Sequence, residues 1–232
     1  MERVVVVGAS AGGIPALEAI CAELPSDFSA PMFIVMHVGP QGNELLEVLA
    51  KCCRLPVSHA IDGQYAQAGT ILVAAPGRNL TIVNDHGRAR VKLTEGGNPN
   101  LLAPAINPLF LSAAAEFGER VVGTVLSGFL DDGSDGLRAI KAAGGTAIAQ
   151  EPRDALCPDM PANAIRQVAV DSILRADAIG ATLTALAAVP ARRLASAPVN
   201  TGEAPGRVPP RQGHTIDVST AAMLASSAGL KK

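Results

Sequence analysis

The chain has 232 residues, a formal net charge of −2, 48% hydrophobic residues and only 3% aromatic ones. That length carries one substantial core with room for a tail, while the lack of a basic stripe and of base-stacking aromatics excludes nucleic acid as a partner. The first apolar run, residues 4–7, stops at Gly8 and is too short for a secretory signal, and no stretch approaches a membrane span; a cytoplasmic, non-membrane-embedded protein is expected.

Short β-branched apolar runs alternate with helical spacing, which predicts an α/β fold: a doubly wound, mostly parallel sheet with helices on both faces. Residues 3–7 read as a buried strand, and 14–24 as a helix with Leu17, Ile20, Cys21 and Leu24 on one side. A second strand over 32–36 precedes a helix over 44–53. Strands over 70–74 and 80–83, separated by Ala-Pro-Gly-Arg-Asn, read as a short antiparallel hairpin element, with 88–93 as a further strand. Helical spacing returns over 106–117, and 121–126 is the next buried strand. Residues 136–143 read as a helix stopped by Gly144-Gly145, 146–149 as a strand, and 161–167 and 178–188 as helices.

After about residue 195 the composition shifts to Ser, Ala, Pro and Gly without periodicity. Two regions are expected: a catalytic domain over 1–194 and a flexible tail over 195–232, in which 216–230 has the spacing of a short helix. Cys21, Cys52, Cys53 and Cys157 form no C-x-x-C pair and read as small apolar residues rather than a metal or redox site.

Gly8-Ala9-Ser10-Ala11-Gly12 has the form G-x-S-x-G between a predicted strand and a predicted helix, the setting of a nucleophile elbow. Small neighbours allow the tight turn that lifts the Ser10 hydroxyl above the strand end, and the Ala11 amide at the helix start suits an oxyanion. The same residues also fit a tight turn without chemistry. A dinucleotide fingerprint would need glycine in place of Ser10, and a P-loop would need Lys-Ser/Thr where Ile14-Pro15 stands.

A serine hydroxyl needs a base to take its proton. His37 closes the second predicted strand, beside the first, whereas His59 follows Leu-Pro-Val-Ser in a less regular region, His86 lies in a turn and His214 in the tail. A carboxylate to orient the imidazole is offered by Asp131 or Asp132, after the strand over 121–126. Loops at the carboxyl ends of parallel strands share one edge, so these groups are expected to converge. The aspartates could instead cap the following helix, a role also open to Asp135; a calcium loop lacks the required spacing. The chain order Ser, His, Asp differs from that of α/β-hydrolases.

With these residues the sequence resembles the catalytic domain of the CheB protein-glutamate methylesterases of bacterial chemotaxis, over about residues 3–190. The resemblance rests on Val-Gly-Ala-Ser-Ala-Gly-Gly near the start, Met36-His37 followed by Pro40, and Leu55-Pro56-Val57 with Asp62-Gly63. It continues through Gly69 to Pro76, Val125-Leu126-Ser127-Gly128 with Asp132-Gly133, and Gln150 with Met160-Pro161-Ala162-Asn163-Ala164-Ile165. It implies Ser10 as nucleophile, His37 as base, Asp132 rather than Asp131 as orienter, and oxyanion donors from the amides of Ala11 and Phe129. It also implies demethylation of glutamate methyl esters on a methylated chemoreceptor or similar sensory protein, with methanol released and glutamine deamidation as a second activity. No metal or organic cofactor is implied. With no room before Ser10 for a receiver domain, control by phosphorylation in cis is not expected.

The chain departs from the family pattern where Gly128-Phe129-Leu130 replaces a Gly-Met-Gly run, where Ala103-Pro104-Ala105-Ile106-Asn107-Pro108-Leu109-Phe110 replaces a run with Arg-Pro and Asp, and where Asn79 replaces a frequent histidine. These changes bear on substrate more than on chemistry. Besides esterase and deamidase, a non-catalytic binding module in a sensory pathway and a nucleotide site at residues 8–13 are the remaining readings.

Overall fold

β1 (Val4–Ala9) is buried at every position, as its unbroken valine run demands. A strand covered by helices on both faces has no polar side, and each valine withdrawn from water contributes roughly 1.5–3 kcal/mol. Parallel neighbours flank it: β2 (Met32–Met36), with Val5 opposite Met32, and β7 (Val121–Val125), with Val4 opposite Val121. Beyond β2 lie β4 (Ile71–Val73) and then β3 (Val57–His59); beyond β7 lie β8 (Thr146–Gln150) and then β9 (Ser172–Leu174). The seven-stranded order is β3-β4-β2-β1-β7-β8-β9, with parallel pairing throughout. This is a computed structural model, and it describes residues 3–37, 44–95 and 104–189. Pro40, Ala103, the tail over 195–232 and its expected helix over 216–230 lie outside the described residues.

Alternate residues of the central strands serve two cores. Val5 and Val7 pack with Leu17 and Ile20 of α1 (Gly13–Ala22), Leu49 of α2 (Glu44–Cys52) and Leu183 of α6 (Ala176–Ala188). Val4 and Val6 face Ile106, Leu109 and Phe110 of α3 (Ile106–Phe117), with Leu137 and Ile140 of α4 (Ser134–Ala142) and Met160 of α5 (Asp159–Gln167) in the same cluster. The doubly wound α/β sheet is therefore the observed architecture.

The antiparallel hairpin exists but begins later than the sequence reading placed it. β4 is a buried member of the main sheet, and the hairpin is formed by β5 (Arg78–Asp85) and β6 (Arg88–Glu95), joined by His86-Gly87 with both residues at positive φ. Leu80, Ile82 and Val91 turn one face of it onto the α3 side of the core. Two short strands, β3 and β9, are additional to the predicted set; at three residues each, only partly buried, they carry too little hydrophobic pattern to declare themselves.

Candidate active site

β1 ends at Ala9, which is in register with Met36 at the end of β2, so the next residues on the two strands, Ser10 and His37, emerge side by side. The His37 amide donates to the Ala9 carbonyl at 3.1 Å and extends the pairing to the mouth of the site. On the other flank the Ser10 amide donates to the Ser127 carbonyl at 2.9 Å, just past the end of β7. Three loops thus meet where the strand order diverges on either side of β1, the place where open parallel sheets form their binding crevice.

His37 Nδ1 lies 3.1 Å from Ser10 Oγ, and His37 Nε2 lies 2.8 Å from Asp132 Oδ2. The imidazole presents its nitrogens in the reverse sense to trypsin-like triads, where Nε2 faces the serine. A neutral ring that donates Nε2–H to the carboxylate keeps the Nδ1 lone pair for the serine proton. Both side chains are largely shielded, with relative exposures of 16% for His37 and 23% for Asp132, which strengthens their interaction over that of a surface pair. Asp131 is exposed; its carbonyl accepts the Ser134 amide. His59 lies on edge strand β3 and His86 in the hairpin turn, while His214 is outside the described residues.

Asp132 has a second task. Oδ2 also accepts the Ile106 amide at 2.7 Å, and Oδ1 accepts the Asn107 amide at 3.1 Å. These are the first two amides of α3, whose N-cap position is held by Ala105, a residue with no side-chain acceptor. The carboxylate therefore caps α3 from another element, and the expected alternative of capping α4 does not occur. Gly133 holds that N-cap position, the Asn107 side chain accepts the Gly136 amide at 2.8 Å, and Asp135 pairs with Arg138 instead. Burial pushes the Asp132 carboxyl up, but the His37 bond and the two α3 amides together hold it below the ordinary carboxylate value. Asn79, in place of the frequent histidine, accepts the Ala105 amide at 2.9 Å and steadies the approach to α3.

Gly12 adopts φ +71°, and a Cβ there would come 2.6 Å from Leu156 Cβ and 2.8 Å from Ser127 Oγ. Only glycine accepts both demands without strain. Gly128 is crowded in the same way: a Cβ would collide with Met160 Sδ and lie 2.7 Å from Ser10 Cβ. Among the described residues, neither the Ala11 nor the Phe129 amide donates to a protein acceptor. Both remain available to an oxygen brought by a substrate.

Phe129, Leu130 and Leu156 are exposed by 58%, 74% and 70%. Leu130 sits at φ +65°, and its carbonyl accepts Asn163 Nδ2 at 2.6 Å. A left-handed leucine held open to solvent is costly backbone strain of the kind found at binding sites. Sequence reasoning did not give Asn107, Asn163 or Ser127 these individual tasks, nor Gln150 its own, in which Oε1 accepts the Ser127 amide at 3.0 Å. Gln150 carried the one available signal, an amide ending a strand of otherwise small and apolar residues, and it is buried at 2% exposure. Among the described residues no group of three His, Cys, Asp or Glu side chains could hold a metal ion, and no helix is long and apolar enough to cross a membrane.

The family model described as CheB methylesterase matches residues 5–183. A protein-glutamate methylesterase/protein-glutamine glutaminase from Anaeromyxobacter dehalogenans is 38% identical over 79% of this chain and 53% of its own length. A Leptospira interrogans protein provisionally named for the same two activities is 34% identical over 75% of this chain and 90% of its own. The chain spans about half the length of the first and nine-tenths of the second. The crystal structure of the Thermotoga maritima CheB methylesterase catalytic domain superposes with a TM-score of 0.77 at 28% identity, over 80% of this chain and 99% of that one.

Proposed function

Because this chain belongs to the CheB methylesterase family, we propose that it is a serine hydrolase that removes methyl groups from glutamate methyl esters on a chemoreceptor-type protein, with glutamine deamidation as a second activity of the same site. The observation that carries the reading is the unbroken hydrogen-bonded line from Ser10 through His37 to Asp132. Asp132 fixes the ring and stabilises the imidazolium; His37 Nδ1 takes the Ser10 proton as Oγ attacks the ester carbonyl. The developing oxyanion is received by the Ala11 and Phe129 amides. Methoxide leaves as methanol on taking the proton from His37, and water, activated by the same nitrogen, hydrolyses the acyl-serine to glutamate. From a glutamine the leaving group is ammonia.

The exposed apolar rim of Phe129, Leu130 and Leu156 supports a protein rather than a small ester as substrate, since a helical surface can cover it. The alternative of a non-catalytic module is decided by a serine-directed phosphonate. Stoichiometric labelling of Ser10, abolished by His37→Ala, is expected; an unlabelled Ser10 in folded protein sinks the reading. Parallel measurement of methanol and ammonia release ranks the two activities.

A further inference from the structure

Ser127 is fully buried and every polar atom it has is engaged. Its carbonyl accepts the Ser10 amide at 2.9 Å, and its amide donates to Gln150 Oε1 at 3.0 Å. Its hydroxyl donates to the Ala11 carbonyl at 2.8 Å and accepts the Cys157 amide at 2.9 Å. The consequence lies in which peptides are held. Ser127 grips the peptide before Ser10 by its N–H and the peptide after Ala11 by its carbonyl. The Ser10–Ala11 peptide between them, whose own carbonyl accepts the Gly13 amide at 2.9 Å, is left with one free group, the Ala11 N–H. The second donor is reached through Cys157. Its carbonyl accepts the Gly128 amide at 2.9 Å, and the Gly128 carbonyl, in the same peptide as the Phe129 N–H, accepts the Met160 amide at 2.9 Å.

We propose that Ser127 is the positioning residue of the oxyanion hole, its buried hydroxyl tying together the two backbone segments whose amides receive the oxyanion. This rests on the methylesterase reading above. Ser127 touches no reacting atom; it fixes the direction of the Ala11 N–H directly and that of the Phe129 N–H through Cys157. Gln150 holds it from behind, and Asp154 holds Gln150, accepting its Nε2 at 2.9 Å. Aligned donors stabilise charge only once it has developed, so their loss falls on turnover and not on ground-state binding.

The test compares the full chain with Ser127→Ala and Ser10→Ala, measuring kcat and KM for methanol release from a methylated receptor fragment and inhibition by a boronic acid that mimics the tetrahedral adduct. Ser127→Ala is expected to lower kcat roughly ten- to a hundredfold, less than outright deletion of a donor. KM should stay within about twofold, the boronic acid should weaken by a similar factor, and the acid limb of the pH profile should not move, because His37 and Asp132 are untouched. Should the alanine variant not fold, Ser127→Cys, which fills the same space with a weak donor, is read by the same criteria. A kcat within about twofold of wild type, a loss confined to KM, or an unaltered boronic acid affinity overturns the proposal. Methanol release that survives Ser10→Ala overturns the methylesterase reading as well, whereas release lost in Ser10→Ala and intact in Ser127→Ala overturns this proposal alone.

Discussion

Asp132 accepts the amide of Ile106 at 2.7 Å through Oδ2, the same oxygen that lies 2.8 Å from His37 Nε2. One atom thus closes the first turn of α3 and holds the imidazole, so the helix N-terminus and the Ser10–His37–Asp132 line are one hydrogen-bonded structure. The positive end of the helix keeps the carboxylate ionised, which is the state the imidazolium needs opposite it.

Asp132→Asn tests that double role. Asparagine retains one acceptor for α3 but loses the charge and the acceptor that selects the ring tautomer. Turnover is expected to drop by about 10⁴, the size of the effect for the equivalent change in a trypsin-like triad. Stability is expected to fall by about 1–2 kcal/mol, measured by urea unfolding, since a strong cap is weakened and not removed. An active variant, or an inactive one with α3 intact and no loss of stability, contradicts one half of the account.

The direction of the Asp132 shift fixes a pH dependence. Its folded value lies below the ordinary one, so the stability it contributes is fully present above about pH 4, the unfolded carboxylate range, and is lost as pH falls through the folded value. The difference in unfolding free energy between wild type and Asp132→Asn should therefore be constant from neutral pH down to about 4 and narrow below it. A gap that persists unchanged into strong acid would show that the carboxylate charge is not what matters.

Much of this was legible in the chain. The buried strand runs and the helices between them followed from periodicity, and the G-x-S-x-G turn, the histidine closing β2 and the aspartates after β7 placed Ser10, His37 and the Asp131/Asp132 pair on one sheet edge, with Asp132 singled out by the family resemblance alone. The hairpin was set one strand too early because Ile71–Val73, read with its neighbours, resembles one arm of a hairpin, whereas it pairs with β2 and β3 over only three residues. The capping of α3 by Asp132 and of α4 by Asn107 joins residues 26 and 29 positions apart, and local spacing carries no trace of such bonds. Ser127 enters the sequence reading only within the family motif over 125–128, and its own role is hidden for the same reason: its partners are residues 10, 11, 150 and 157.

Gly128→Ala should cripple the site while sparing the rest of the fold. The added methyl meets Met160 Sδ and lies 2.7 Å from Ser10 Cβ, so Ser10 or α5 must shift. A misplacement of that order costs about a hundredfold in turnover. Kinetics on the folded variant decide it, and wild-type kcat would show that the neighbours yield without consequence.

Leu130→Gly relieves a positive-φ strain and removes part of the exposed rim. Stability is expected to be unchanged or slightly raised, while KM rises for a methylated receptor fragment and not for a small methyl ester. Equal KM changes for both substrates would argue against a rim that contacts protein.

Among the thiols, Cys53 should react first with iodoacetamide. Its partnership with Cys21 holds the Cys53 thiol below the ordinary value, against the opposing effect of burial and with help from the Leu55 amide, which donates to Cys53 Sγ at 3.4 Å. Cys21 is buried and pushed up by the same partnership. Peptide mapping after brief alkylation near neutral pH reads the order, and Cys21 labelled ahead of Cys53 would reverse it.

The most direct measurement is methanol release from a glutamate-methylated receptor fragment by the wild-type chain and by Ser10→Ala. The wild type should release methanol, and the variant, stripped of its nucleophile, should fall by about a millionfold, below detection. Release by Ser10→Ala at anything near the wild-type rate would contradict the assignment of Ser10 and with it the account of the site.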